Sequence, residues 1–408
     1  KILAYPKNII FDYKTYKLYN QFMNKIPTKK LGFNPNWQIK TLNEVCNKIS
    51  AGGDKPEDCT TEKTEENQIP IFSNGIKNKG LCGYTKTPTI TKPALTISAR
   101  GTIGFACVRY EPFFPIVRLI CVIPNEKLVV LEFLCYALQY IIPQGEGTSV
   151  PQLTIPNFKK IEIPIPPLDE QKRIASALSK IDAYLENTIK LIEEKERFKR
   201  GIAKKLLTCK EGKNIPEARF KGFEDEWETK TLSSISNIKK GEQKNKLDLI
   251  ADGKYPVLNG GMNFSGYCNS YNREANTITI SEGGNAGYVN FIKEKFWSSG
   301  HCYTLHDLKI DKYFLYQCLK NSEKRLMKLQ LGTALKNIRQ SEIVEFELNI
   351  PKSIKEQEKI GEYLSLLDEE IDNLKKQKEL IKEMKRGAMQ KLLSGEVRLS
   401  KNAFNENI

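Results

Sequence analysis

KRGIAKKLL, residues 199–207, and KRGAMQKLL, residues 385–393, are two versions of one segment in a chain of 408 residues. The offset between them is 186 positions, and the same offset carries Glu170-Gln171 onto Glu356-Gln357. An internal repeat of this kind governs every later reading of the fold. Working outward, Trp37 corresponds to Trp227, Lys40-Thr41-Leu42 to Lys230-Thr231-Leu232, Asn74-Gly75 to Asn259-Gly260, and LTISARGTIGF (95–105) to ITISEGGNAGY (278–288). Gly147-Thr148 corresponds to Gly332-Thr333, and the offset drifts between 181 and 190. Drift of that size is expected where loops differ in length on a shared fold.

Each repeat has two parts. The first is rich in β-branched and aromatic residues, Gly and Pro, with short strand-like runs: ALTIS, IGFACV and RLICVI in one copy, TITIS, YVNFI and CYTLH in the other. LVVLEFLCYALQY and DKYFLYQCLKN read as helices, which makes a mixed α/β globule. The second part is a long amphipathic helix. Ile174, Leu178, Ile181, Leu185, Ile189 and Ile192 recur at steps of three and four, as do Ile360, Leu364, Leu367, Ile371, Leu374 and Ile381. Pro166-Pro167 stands just before the first helix, where Pro is tolerated. Neither stripe can be buried on a small globule, so the two helices are expected to pack on each other, antiparallel. The expected class is α+β, with an internal pseudo-twofold. The expected division is an arm (1–32), a first module (33–160), a first spacer helix (161–213), a second module (214–345), a second spacer helix (346–400) and a tail (401–408).

A net charge of +15 favours polyanionic partners. The longest apolar stretch, Leu128 to Ile142, carries Glu132 and Gln139 and is too short to span a bilayer. The opening KILAYPKNIIFDYK has no leader pattern. Ten cysteines without a C-x-x-C pair suggest free thiols in a reducing, cytoplasmic setting. His301-Cys302 with His306 is the nearest approach to a metal site, and a strand end explains it better. No G-x-x-x-x-G-K-[ST] cradle is found. Arg100-Gly101-Thr102-Ile103-Gly104 is followed by a strand-like run, which suits a hairpin turn and not a nucleotide cradle. Asn34-Pro35-Asn36-Trp37 loosely resembles the N-P-P-aromatic motif of amino-methyltransferases, but its repeat partner is Glu224-Asp225-Glu226-Trp227, so only a packing Trp persists.

The run Ile163-Pro164-Ile165-Pro166-Pro167-Leu168-Asp169-Glu170-Gln171, the long helix ending K-R-G-x-x-x-x-L-L, and the closing L-L-S-G-E-x-R-L (Leu392 to Leu399), all in a duplicated chain, resemble the specificity subunits of type I restriction–modification enzymes. The second copy of the Pro-rich run, Asn349-Ile350-Pro351-Lys352-Ser353-Ile354, is degenerate. The resemblance implies a non-catalytic reader of double-stranded DNA with one target recognition domain per half of a split sequence. It implies helices that act as a ruler and dock two modification subunits, which bind S-adenosylmethionine and methylate adenine, and motor-nuclease subunits that join for restriction. The chain itself then needs no cofactor or metal. Candidate DNA contacts are loop residues of the two modules. In the first module they are Asn74, Lys77, Lys79, Arg100, Thr102, Thr148 and Gln152; in the second, Asn259, Ser281, Glu282, Asn285, Lys336, Asn337 and Arg339. Arg100 faces Gly283 in the repeat and Ala99 faces Glu282; Arg suits guanine and a carboxylate suits cytosine, so the halves are expected to read different sequences. The competing reading is a helical scaffold with two modules for acidic protein partners.

Overall fold

In the computed structural model of the protein, residues 34–142, 153–331 and 337–399 are described. The chain separates into two compact units. Unit 1 combines the residues up to Asn187 with those from Lys378 onward, and unit 2 is Thr188–Gln377.

Unit 1 opens with β1 (Gln38–Thr41), the short helix α1 (Leu42–Val45) and β2 (Cys46–Ala51). Strands β3 (Ile69–Phe72), β4 (Leu81–Thr85), β5 (Ala94–Ile97), β6 (Ala106–Arg109), β7 (Phe114–Pro115) and β8 (Ile120–Pro124) follow. Helices α2 (Leu131–Ile141) and α3 (Ile155–Lys159), strand β9 (Glu162–Ile165) and the long α4 (Leu168–Leu207) come next. An antiparallel sheet is ordered β2-β8-β5-β6, and a second is ordered β4-β3-β7 with β3 and β7 parallel. Strand β1 pairs antiparallel with β9. All four residues of β5 are buried, so this strand is covered on both faces, and Thr96, its one polar residue, is satisfied by the Cys107 carbonyl and Arg109. Leu95, Phe133, Leu134 and Phe158 are fully enclosed in the same core as Trp37.

Unit 2 repeats this strand for strand: β10 (Glu228–Thr231), α5 (Leu232–Ile235), β11 (Asn237–Lys240), β12 (Tyr255–Leu258), β13 (Gly266–Cys268), β14 (Thr277–Ser281), β15 (Val289–Ile292), β16 (Trp297–Ser298) and β17 (Cys302–His306). Helices α6 (Lys312–Asn321), α7 (Glu323–Met327) and α8 (Gln340–Val344), strand β18 (Glu347–Ile350) and the long α9 (Ile354–Leu393) complete it. The sheets are β11-β17-β14-β15, β13-β12-β16 with β12 and β16 parallel, and the pair β10-β18. Trp227 is buried and meets Phe314 edge-on at 6.0 Å, so the Trp shared by the repeats is a packing residue in both cores.

The doubled KRG segment finds its reason inside each unit. Within unit 2, Lys199 Nζ lies 2.6 Å from Asp368 Oδ1. Within unit 1, Lys385 Nζ lies 2.6 Å from Asp182 Oδ1. Each Asp also accepts from the unit's own helix, from Tyr136 Oη at 2.8 Å and from Gln317 Nε2 at 2.8 Å. The closing leucines then enter the cores: Leu206 and Leu207 in unit 2, Leu392 and Leu393 in unit 1. Full burial of each Leu contributes about 1.5–3 kcal/mol.

The Glu-Gln pairs are equally structural. Glu170 takes both guanidinium nitrogens of Arg398 at 2.8 and 2.7 Å, and Glu356 takes those of Arg219 at 2.7 and 2.8 Å. Gln171 accepts from the Val130 N–H and donates to the Pro166 carbonyl; Gln357 accepts from the Asp311 N–H and donates to the Pro351 carbonyl. Val130 and Asp311 are the N-cap residues of α2 and α6, so each Gln satisfies a helix start that would otherwise be left open. These contacts fix helix direction. In unit 1, Asp182 meets Lys385 while Glu170 meets Arg398; in unit 2, Lys199 meets Asp368 while Arg219 meets Glu356. The paired segments of α4 and α9 are therefore antiparallel in each unit.

The apolar stripe is as expected at Ile174, Leu178, Ile192, Ile360, Leu364, Leu367, Ile371 and Ile381, all buried. It departs at Ile189, which is exposed while Thr188 is buried. A strict heptad drifts against the helix period of 3.6, and the seam passes to the neighbouring position.

Candidate nucleic-acid interface

Three loops of unit 1 meet at one end of the four-stranded sheet: 73–80 after β3, 98–105 between β5 and β6, and 116–119 between β7 and β8. Asn74 ties them together. Its Oδ1 accepts from the Ala99 N–H at 2.8 Å and its Nδ2 donates to the Val117 carbonyl at 2.8 Å. The Gly75 N–H donates to Ser98 Oγ at 3.2 Å, and the Leu153 N–H donates to the Ala99 carbonyl at 3.2 Å. Asn74 is thus a brace, and the exposed residues around it include Ile76, Lys77, Asn78, Lys79, Arg100, Val117 and Arg118. Lys79 pairs with Glu186 of α4 at 3.1 Å. Thr102 is half-buried, and its Oγ1 has no partner among the described residues.

Unit 2 builds the equivalent cluster from 259–265, 282–288 and 299–301, but without the Asn brace: the Asn259 Oδ1 is buried with no partner among the described residues, and the Glu282 N–H donates to the His301 carbonyl at 2.9 Å. The hairpin loops agree bond for bond. In unit 1 the Gly104 N–H donates to the Ser98 carbonyl (3.1 Å) and Phe105 to Thr102 (3.3 Å); in unit 2 Gly287 donates to Ser281 (2.8 Å) and Tyr288 to Asn285 (2.9 Å). The Ile338 N–H donates to the Glu282 carbonyl at 2.9 Å, as Leu153 does to Ala99. Where Arg100 stands in unit 1, unit 2 has Gly283; a Cβ there would lie 2.5 Å from Asn337 Oδ1, so Asn337 occupies the space a side chain would need.

Glu282 is placed differently from its sequence expectation. Its Oε1 accepts from Lys240 Nζ at 2.6 Å and from Tyr303 Oη at 2.9 Å, while Oε2 is buried, without a hydrogen bond, and 3.6 Å from His301 Nδ1. Burial first, and then the Glu282 carboxylate, push the Tyr303 phenol up, which keeps it a neutral donor. Both carboxylate oxygens are therefore turned inward. Glu282 positions Lys240 and His301, which are half exposed, and does not itself face a groove. Ser281 likewise ends β14 and is only 1% exposed, so its hydroxyl is not at the surface. Asn285, Asn337 and Arg339 are exposed, and Asn259 is half-buried. Thr148, Gln152 and Lys336 lie outside the described residues.

The model of the family described as "Type I restriction modification DNA specificity domain" matches residues 34–194 and again 224–383. The chain belongs to that family. A putative type I specificity subunit of Mycoplasma pneumoniae is 37% identical over 153 residues, which is 36% of this chain and 45% of the relative. A second from the same organism is 40% identical over 151 residues, 36% of this chain and 40% of the relative, so the matched stretch spans under half of either. The specificity subunit of a type I restriction enzyme of Methanocaldococcus jannaschii is 28% identical over 312 residues, covering 69% of this chain and 73% of the relative. In fold, the chain is similar to the crystal structure of the S subunit of a type I restriction–modification system from M. genitalium. The TM-score is 0.66 at 22% sequence identity, with 90% of this chain and 99% of that one covered.

Each specificity domain carries exposed residues that sequence reasoning passed over. In the first domain they are Val117 and Arg118; in the second, Lys240 and His301, beside the half-buried Lys244, whose Nζ lies 3.6 Å from the centroid of the Trp297 ring. The available signal was the repeat itself: the offset that aligns β5 with β14 sets Arg118 against His301. His301 immediately precedes β17 and His306 ends it, and among the described residues no three or more His, Cys, Asp or Glu side chains group as metal ligands do. No helix among the described residues is long and apolar enough to cross a membrane, and Leu128–Ile142 holds the packed helix α2.

Proposed function

We propose that this chain is the non-catalytic DNA-recognition subunit of a type I restriction–modification complex, and that each loop cluster reads one half of a split, asymmetric duplex target. What supports the reading is the duplication: one backbone hydrogen-bond pattern built twice, with different side chains displayed on it. Lys77, Lys79, Lys336 and Arg339 hold phosphates and position the duplex without reading it. Arg100, Asn285 and Asn337, with Thr148 and Gln152, meet base edges. Lys240 and His301, held by Glu282, replace the carboxylate itself as the contact in the second half-site. Two modification subunits bind S-adenosylmethionine and transfer its methyl group to adenine, and motor-nuclease subunits complete the restricting assembly; this chain binds no cofactor of its own.

The test is exchange of residues 223–345 for the corresponding domain of another specificity subunit, followed by methylome sequencing of cells that also express the modification subunit. One half of the methylated sequence is expected to change while the other stays. Change in both halves, or in neither, refutes the assignment of one half-site to each domain.

A further inference from the structure

The β7–β8 loop of the first domain holds a conformation that its residues do not favour. Val117 and Arg118 stand side by side in the left-handed region, with φ of 53° and 58°. For a β-branched residue this is a true outlier, because Cβ crowds the backbone there. Val117 is 50% exposed, and the exposed Arg118 guanidinium makes no hydrogen bond or ion pair with the described residues. Instead the backbone is clamped from outside. The Val117 N–H donates to the Gly53 carbonyl at 2.8 Å, the Arg118 N–H to the Gly52 carbonyl at 3.0 Å, and the Val117 carbonyl accepts from Asn74. Gly52 is required for this, since a Cβ there would lie 2.7 Å from the Pro115 carbonyl carbon. The second domain sets Gly300-His301 at the same place in its own β16–β17 loop, and neither residue has a positive φ.

A strained, over-determined backbone that presents to solvent an apolar tip and a cation unpaired among the described residues is a feature that packing does not explain. We infer that Val117 and Arg118 form a base-reading tip for the first half-site, with the Val117 methyls against a thymine 5-methyl group and the Arg118 guanidinium on the O6/N7 edge of an adjacent guanine. Both groups are displayed only in the major groove. The surroundings suit a nucleic acid, for Lys77 and Arg100 are exposed on the two neighbouring loops and the chain carries +15 overall. The inference rests on the DNA-reading function proposed above and assigns to it two residues and the bases they meet.

The experiment selects bound duplexes from a randomised pool with the full chain, its Val117→Gly variant and its Arg118→Gln variant. Glycine accepts a positive φ, so Val117→Gly is expected to keep or raise the denaturation midpoint while losing the apolar contact. Each variant is expected to select the wild-type second half-site and to lose about 5- to 150-fold of discrimination at one of two adjacent positions in the first. Deoxyuridine is then placed, one thymine at a time, in the wild-type site. One replacement is expected to weaken the wild-type chain several-fold and leave Val117→Gly unaffected. Variants that select the wild-type sequence with undiminished preference overturn the inference and leave the DNA-reading function standing. A wild-type chain that selects no sequence at all overturns both.

Discussion

Replacing Arg219 by Met removes a guanidinium and keeps most of its apolar stem. The Glu356 carboxylate it leaves behind is 1% exposed, and the Arg219 side chain itself is 13% exposed, so water reaches neither group freely. Two charge-assisted bonds of 2.7 and 2.8 Å disappear together, and with them the bond from Arg219 Nη2 to the Asp225 carbonyl at 2.7 Å. An uncompensated buried charge of this kind costs about 3–5 kcal/mol, a large share of the roughly 5–15 kcal/mol that holds a domain folded. Arg219→Met is therefore expected to lower the urea midpoint of unit 2 severely. Replacing both partners, Arg219→Met with Glu356→Leu, removes the stranded charge and is expected to return stability to within about 2 kcal/mol of the parent chain. Trp227, 2% exposed and packed on Phe314, supplies the fluorescence probe. The double-mutant cycle is the measurement. If Arg219→Met costs under about 1 kcal/mol, or if the double variant is as unstable as the sum of the single ones, the account of Glu356 as a desolvated partner of Arg219 is refuted.

Two further outcomes are expected. Gly201 and Gly387 lie inside α4 and α9 with nothing within 4 Å of a built Cβ, so Gly201→Ala and Gly387→Ala should each stabilise the isolated chain by about 0.5–1 kcal/mol in chemical denaturation. A loss of stability would mean that the helix surface there is already occupied. The thiols should divide by exposure: burial pushes Cys121 and Cys135 up to about 12, Cys302 to about 11 and Cys318 well above its ordinary value, whereas Cys82 is exposed. The thiolate is the reactive form, so brief alkylation at pH 8 with peptide mapping should mark Cys82 and spare those four until denaturant is added. Rapid labelling of Cys318 would place α6 outside a closed core.

The repeat, the strand runs TITIS and CYTLH, helices α4 and α9 and the packing role of Trp37 and Trp227 were legible because each is written locally, as a period of two or of 3.6 or as a match between copies. Family membership rested on the same local marks, since KRG, Glu-Gln and the Pro-rich run survive as strings. What those strings do was decided only by tertiary structure. Lys199 and Lys385 find their aspartates on the other long helix, and Glu170 and Glu356 find arginines 228 and 137 positions away. The loop cluster was legible only in part. Asn74 and Asn259 were singled out, but Asn74 proved a brace, Glu282 turned inward, and Val117 and Arg118 escaped notice. A loop side chain's role depends on which other loops approach it. That approach is set by sheet order and by hydrogen bonds between segments far apart in the chain, neither of which leaves a period in the sequence.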